Sequence, residues 1–204
     1  MMSPFGSLDG KSIVSYHDAH LAADASNEPP TDEPWASIAA NHRCNRLLWD
    51  EEDLARRTEV PDAAIAANKR AIDGCNQRRN DAIERIDEAL LARLAGVTPA
   101  PDAWHNSETA GSIIDRLSIL ALKIHHMREQ TLRNDVGATH IAQCADKLAR
   151  LVAQRNDLAR CFDTLLAQAA QGRAFWRIYR QFKMYNDPAL NPYLYGKSGM
   201  GDEG

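Results

Sequence analysis

No stretch of this chain holds the roughly 18 consecutive apolar residues that a membrane span requires. Its first twenty residues, MMSPFGSLDGKSIVSYHDAH, have neither a basic start nor a continuous apolar run. No secretory leader is therefore read there, and the expected compartment is the cytoplasm. The four cysteines (Cys44, Cys75, Cys144, Cys161) are far apart and form no CxxC. They fall inside helical patterns, which predicts small buried hydrophobes in a reducing compartment rather than a disulfide framework or a metal site. There is no GxSxG, no glycine-rich phosphate loop and no paired Cys–His element, so no signature fixes a reaction. No alternation of apolar and polar residues reads as a strand. The net charge of −4 is concentrated in residues 1–33, which hold one lysine and six acids, so the rest is near neutral and gives no case for nucleic acid.

What the chain does hold is helix-forming sequence. Residues 1–33 are rich in Ser, Asp, Pro and Gly, and "ASNEPPTDEP" is a breaker, so this segment is expected to be mostly disordered, with "SIVSYHDAHLAA" a short docking piece. A single domain is expected over 34–195, followed by a flexible tail at 196–204. Within it, helices are predicted over about 34–57, 61–95, 112–134 and 139–171, with Pro34 and Pro61 as starts and Gly96 and Gly172 as stops. "SIID" at 112–115 reads as a capping box for the third helix. A shorter amphipathic helix is expected over 173–185, with Phe175, Ile178, Tyr179 and Phe182 on one face and Arg173, Arg177 and Arg180 on the other. The last residues should be extended. Apolar positions run 72, 75, 79, 83, 86, 90 in the second helix and 141, 144, 148, 151, 155, 158, 162, 165 in the fourth. That three-four alternation is the seam of helices packed nearly parallel. The fold class is accordingly all-α, an antiparallel four-helix bundle of long helices.

Two positions break those seams. "RNDAIERID" at 79–87 returns as "RNDLARCFD" at 155–163, and in each copy an arginine occupies an apolar position. An unpaired buried guanidinium costs several kcal/mol, so Arg79 and Arg155 each need a partner or a route to water. Acids and amides are at hand. Asp73, Gln77, Asn80, Glu84 and Asp87 form a stripe on the second helix, and His42, Asn45, Glu52 and Arg56 form one on the first. Asp115, Ser118 and Lys123 lie on the third. Asp115 fits either a capping acid or a member of an internal polar cluster, and Glu84 and Asp87 fit either that cluster or a solvated face. The repeated segments also leave open an internal duplication of two helical hairpins.

The blocks "NRLLWDEEDLARR", "KRAIDGCNQRRNDAIERIDEALL", "NSETAGSIIDRLSILALKIHHMREQ", "LVAQRNDLARCFDTLL" and "RQFKMYNDPALNPYLY" resemble, in order, those of domain of unknown function family 4254. The likeness covers about 35–195, and its most specific block is "GSIIDRLSILALKI". The resemblance implies a bacterial protein, commonly encoded beside glycosyltransferases of lipopolysaccharide and surface polysaccharide assembly. Its motifs fall on Asn45, Trp49, Glu52, Asp53, Arg56, Asp73, Asn80, Asp87, Asp115, Lys123, Arg155, Tyr185, Asn186 and Asp187. The family brings no established reaction.

Two functions compete. In the first, an accessory or ligand-binding protein docks a glycosyltransferase or holds a phosphorylated sugar. Arg155, Arg79, Arg56 and Lys123 would take phosphate, and Asn45 and Asn80 would read hydroxyls. The cationic 173–185 helix fits either packing of its aromatic face back onto the bundle or peripheral contact with a membrane or partner. No cofactor is needed for this reading. In the second, an Mg-dependent hydrolase or transferase acts on a nucleotide or sugar phosphate, with Glu52, Glu84 and Asp87 as ligands. That motif departs from the EExxE…ExxD pattern because Ala55 stands where its third glutamate belongs. The adjacent His125 and His126 project to different faces of the third helix, and the histidines offer no familiar zinc spacing.

Overall fold

The computed structural model describes residues 4–22, 30–180, 184 and 187–195. Five helices of more than ten residues build it: α1 (Gly10–Ala22), α2 (Trp35–Leu54), α3 (Asp62–Ala92), α4 (Ala110–Thr131) and α5 (Ala138–Ala170). A one-turn helix, α6 (Pro192–Tyr195), closes the described chain. The fold is all-α, apart from a two-residue parallel pairing of β1 (Trp104–His105) with β2 (Ala174–Phe175).

The seam positions explain the packing. Ile72, Cys75, Ile86 and Leu90 of α3 are buried, as are Cys144, Arg155, Leu158, Phe162 and Leu165 of α5. α4 lies at the centre. Ile113, Ile114, Leu117, Leu120, Ala121, Leu122 and Ile124 are all buried, and a helix apolar on most of its circumference must be enclosed by others. It packs against α1, α2, α3 and α5. Ile13, Ile38, Ile86, Ile114 and Phe162, one from each of the five helices, meet in the same core. Each such side chain contributes about 1.5–3 kcal/mol on burial.

Three expectations are overturned. The segment 1–33 is ordered over residues 4–22, more than the short docking piece expected at 12–23, which does dock and forms most of α1. There Phe5, Leu8, Ile13 and His17 are buried, so α1 joins the core beside the four long helices. Its start is a reciprocal cap in which the Ser12 amide donates to Asp9 Oδ1 (2.7 Å) and the Asp9 amide to Ser12 Oγ (3.0 Å). The polar composition of the segment masks one short apolar face. Residues 23–29 and the 196–204 tail lie outside the described residues.

The fifth helix is absent over 173–180. After α5 the chain turns at Gly172 (φ +70°), a left-handed conformation that glycine adopts without strain, and residues 174–175 pair with β1. Trp176 enters the core, and Arg180 reaches back to Glu84 (3.3 Å) and Glu88 (2.6 Å) on α3. The alternation of aromatic and basic residues thus serves a strap, and with no helix the basis for peripheral membrane contact falls away. Residues 181–183 and 185 lie outside the described residues. Among those described, no helix is long and apolar enough to cross a membrane.

The capping box is misplaced by three residues. The cap of α4 is Thr109, whose hydroxyl accepts from the Ser112 amide (3.1 Å), and Asp115 sits inside the bundle. Cys44, Cys75 and Cys144 are buried as expected, whereas Cys161 is exposed.

Candidate functional site

The two RND segments receive helices. In the first copy, Asp87 Oδ1 accepts from the amide of Gly111 (2.8 Å), in the first turn of α4. In the second, Asp163 Oδ1 accepts from the amide of Gly10 (2.7 Å), the first residue of α1. Both glycines are needed for close approach. A Cβ on Gly111 would lie 2.6 Å from the carbonyl oxygen of Ile83, and one on Gly10 would lie 2.7 Å from that of Ala159. Ile83 and Ala159 each stand four residues before the aspartate, so the same helix surface is used twice. A carboxylate at a helix N-terminus satisfies an orphan amide and opposes the positive end of the macrodipole. Eight residues upstream the arginines complete the pattern. Arg79 forms a bidentate pair with Asp115 of α4 (Nε to Oδ1, 2.7 Å, and Nη2 to Oδ2), and Arg155 Nη1 donates to Asp18 of α1 (2.6 Å). In both cases the incoming helix runs antiparallel to its receiver.

Asp115 is the hub of a buried network. Its Oδ1 also accepts from Asn41 Nδ2 (2.8 Å) and Asn45 Nδ2 (2.9 Å), and Asn45 reaches Ser118 Oγ (3.0 Å). The carboxylate raises the Arg79 pKa further through these charge-assisted bonds. Asp87 behaves differently. Burial pushes its pKa up to about 6, outweighing the hydrogen bonds from Thr109 and Gly111 that favour the charged form.

A second buried group lies between α1 and α2. His17 and His42 stack with centroids 4.6 Å apart, and His42 Nδ1 lies 2.8 Å from Ser118 Oγ. Both nitrogens of His17 and Nε2 of His42 lack a hydrogen-bond partner among the described residues. Burial drives the His17 pKa well below its ordinary value, helped by His42, Arg155 and His20, and brings His42 down to about 4. Both rings are held neutral.

Open space lies on either side of Trp49. One groove, of about 580 Å³, runs between α2, α4 and α5 and is lined by Trp49, Asp53, Lys123, His126, Lys147 and Arg150, with Met127 and Leu151 among its apolar walls. Trp49 and His126 stack at 4.5 Å, 10° from parallel. The other groove, of about 310 Å³, lies between α2, α3 and α4 and includes Asn45, Glu52, Arg56 and Arg79.

The candidate residues therefore divide. Asn45, Glu52, Arg56 and Arg79 share the smaller groove, with Asp115 behind them. Lys123 stands in the larger one. Asn80, Glu84 and Asp87 line a separate hollow of about 100 Å³ near Thr109. Arg155 is in the core against α1. Arg79 and Arg155 are engaged by carboxylates, Asn45 is spent on Asp115 and Ser118, and Arg56 pairs with Glu52 (3.3 Å). Four of the groups expected to meet a ligand thus meet other protein groups. Glu52, Glu84 and Asp87 do not come within ligating distance of one another, so the magnesium set is not assembled. Tyr185 and Asn186 lie outside the described residues.

Sequence reasoning missed Asn41, His17, Gly111, Lys147 and Arg150. Gly111 has a signal in hindsight, a glycine opening a helix that is apolar all round. Lys147 and Arg150 have none, because only the pairing of α4 with α5 brings them opposite Lys123.

A family model described as "Protein of unknown function (DUF4254)" matches residues 35–178, from the start of α2 to just past β2. No curated protein and no solved structure matches the chain.

Proposed function

The chain belongs to the DUF4254 family of proteins of unknown function, and on that premise we propose that it binds a phosphorylated sugar in the groove beside Trp49, as an accessory protein of cell-surface glycan assembly. The observation that carries the reading is the state of the cations there. Lys123, Lys147 and Arg150 line one groove, and no described carboxylate forms an ion pair with any of them. With no acid engaging them, these three cations stand together in one groove and remain available for an anion. A phosphate would take charge-assisted hydrogen bonds from them. The stacked Trp49–His126 wall suits the C–H face of a sugar ring, while Asp53 and Gln130 supply acceptors and donors for hydroxyls. The glycan context comes from the family resemblance, and cytoplasmic placement fits activated, phosphorylated sugars.

Calorimetric titration with sugar 1-phosphates and nucleotide sugars, in EDTA, tests the reading. Binding is expected without added metal. In the double variant Lys147→Ala/Arg150→Ala the affinity should fall on the order of 10- to 100-fold, as expected for two lost charge-assisted bonds. Equal affinity in the variant, or no binding by the wild type across the panel, overturns the proposal.

A further inference from the structure

One more cluster lies on the outer face of α4, where the groove ends. His125, His126 and Glu129 stand at positions i, i+1 and i+4, so Glu129 is one helical turn from both histidines. The imidazoles, expected to diverge, converge on this carboxylate. His125 Nε2 is 3.6 Å from Glu129 Oε1 and His126 Nδ1 is 3.0 Å from Oε2, with the three donor atoms all within 4.8 Å of one another. No other group of three His, Cys, Asp or Glu side chains among the described residues comes this close. All three are reachable from water, the histidine side chains at 33% and 34% exposure and the glutamate at 55%.

We propose that His125, His126 and Glu129 form a binding site for a divalent transition-metal ion of the zinc class. An ion about 2.0–2.1 Å from each of three tetrahedral donors places those donors roughly 3.3–3.4 Å apart, which side-chain rotation on one helix face achieves here. Two imidazoles and a carboxylate favour Zn²⁺, Co²⁺ or Ni²⁺ over Mg²⁺, which prefers oxygen throughout. The stack with Trp49 fixes the plane of the His126 ring, the role that outer partners play for metal-bound histidines. Three protein ligands leave a tetrahedral ion one position open. Because His126 is also a wall of the groove, that position adjoins the groove, and an anionic oxygen of its occupant fills it. Only this last step rests on the sugar-phosphate reading; the metal site itself does not.

Titration of the full chain with Zn²⁺ alone, and with Co²⁺ followed by its visible absorption, tests the site. The wild type should take up one ion per chain with the absorption of a four-coordinate centre. His125→Gln and Glu129→Gln should each weaken binding at least tenfold without changing the melting temperature of the metal-free protein. His140→Ala, which removes the imidazole 3.4 Å from Cys144 Sγ, should leave it unaltered. Unchanged uptake in the His125→Gln/Glu129→Gln double variant, or no stoichiometric uptake by the wild type, overturns the site. A parallel titration with glucose 1-phosphate, with and without Zn²⁺, separates the two ideas. Tighter binding with the metal, absent in Glu129→Gln, supports the shared position. Metal uptake with no effect on the sugar phosphate overturns the shared position and leaves the metal site standing. Sugar-phosphate binding without metal uptake overturns the site and leaves the groove.

Discussion

The two RND segments perform one task in two settings. On α3, Arg79 and Asp87 receive α4, and the pair Arg79–Asp115 is reinforced by Asn41 and Asn45 in a buried site where the Asp115 side chain is 6% exposed. On α5, Arg155 and Asp163 receive α1, and Arg155 meets Asp18, a side chain 45% exposed. The geometry is shared and the solvation is not. A buried carboxylate at the bundle's centre organises amides around itself, whereas one at the rim answers a single guanidinium and remains open to water. Polar groups engaged in this way act as architecture. Lys123, Lys147 and Arg150, which share the groove beside Trp49 and pair with no described carboxylate, are the cations gathered where a ligand could reach them.

The contrast is open to direct attack, beginning with the deepest member. Asp115→Ala strips Arg79, Asn41 and Asn45 of their common acceptor and should lower the stability measured by urea denaturation by about 3–5 kcal/mol, the range for breaking a buried pair. A loss under about 1 kcal/mol would show that water replaces the carboxylate and that the two settings are alike.

Next comes Asp87. Its folded pKa of about 6 lies above the ordinary 3.8, so the folded state binds more protons than the unfolded one across that interval. On this residue's account stability falls as pH rises from about 4 to 6, by roughly 2–3 kcal/mol. His17 and His42 act in the opposite direction. Their folded pKa values are depressed, so stability is lost as pH falls below about 6.5. Comparing the wild type with Asp87→Asn, which keeps an acceptor for Gly111, cancels the histidine contribution. The variant should gain on the wild type as pH rises from 4 to 7, and a constant difference would refute the assignment.

The glycines sharpen the likeness of the two sites. Gly111→Ala and Gly10→Ala each drive a methyl against a backbone carbonyl and should each cost about 1–3 kcal/mol in thermal or urea denaturation. Normal stability in either variant breaks the parallel. The smallest effect is expected at the rim. Asp18→Ala should cost about 1–2 kcal/mol, because the water that already wets Asp18 takes its place against Arg155 Nη1, while the guanidinium, only 9% exposed, still loses its carboxylate.

Much of this fold was legible in periodicity. The seams of α3 and α5 and the four long helices follow from apolar spacing alone, since each helix carries its own face in its own residues. The seam arginines were correctly read as needing partners. Their partners were harder to see. Asp115 looked like a capping acid because it follows Ser112 by three, and Asp18 lay in a stretch read only as a short docking piece, with no local pattern to say what it docks on. The 173–180 strap was misread because apolar residues at i, i+3 and i+4 (Phe175, Ile178, Tyr179) fit a helix equally well. Its outcome was decided by Gly172 and by Glu84 and Glu88 of α3. The grooves were invisible for the same reason: they belong to pairs of helices, and no local pattern states which pairs form.

The docking of α1 has a consequence in time. Asp18 and Arg155 are 137 positions apart, so α1 leaves the ribosome long before the helix that receives it. At about 5–20 residues per second, roughly 7–27 s pass between the two. Throughout that interval Phe5, Leu8 and Ile13 have no α5 to cover them, and Gly10 has no carboxylate for its amide. Newborn chains therefore carry α1 with its α5-facing side uncovered until the residues that receive it have been made.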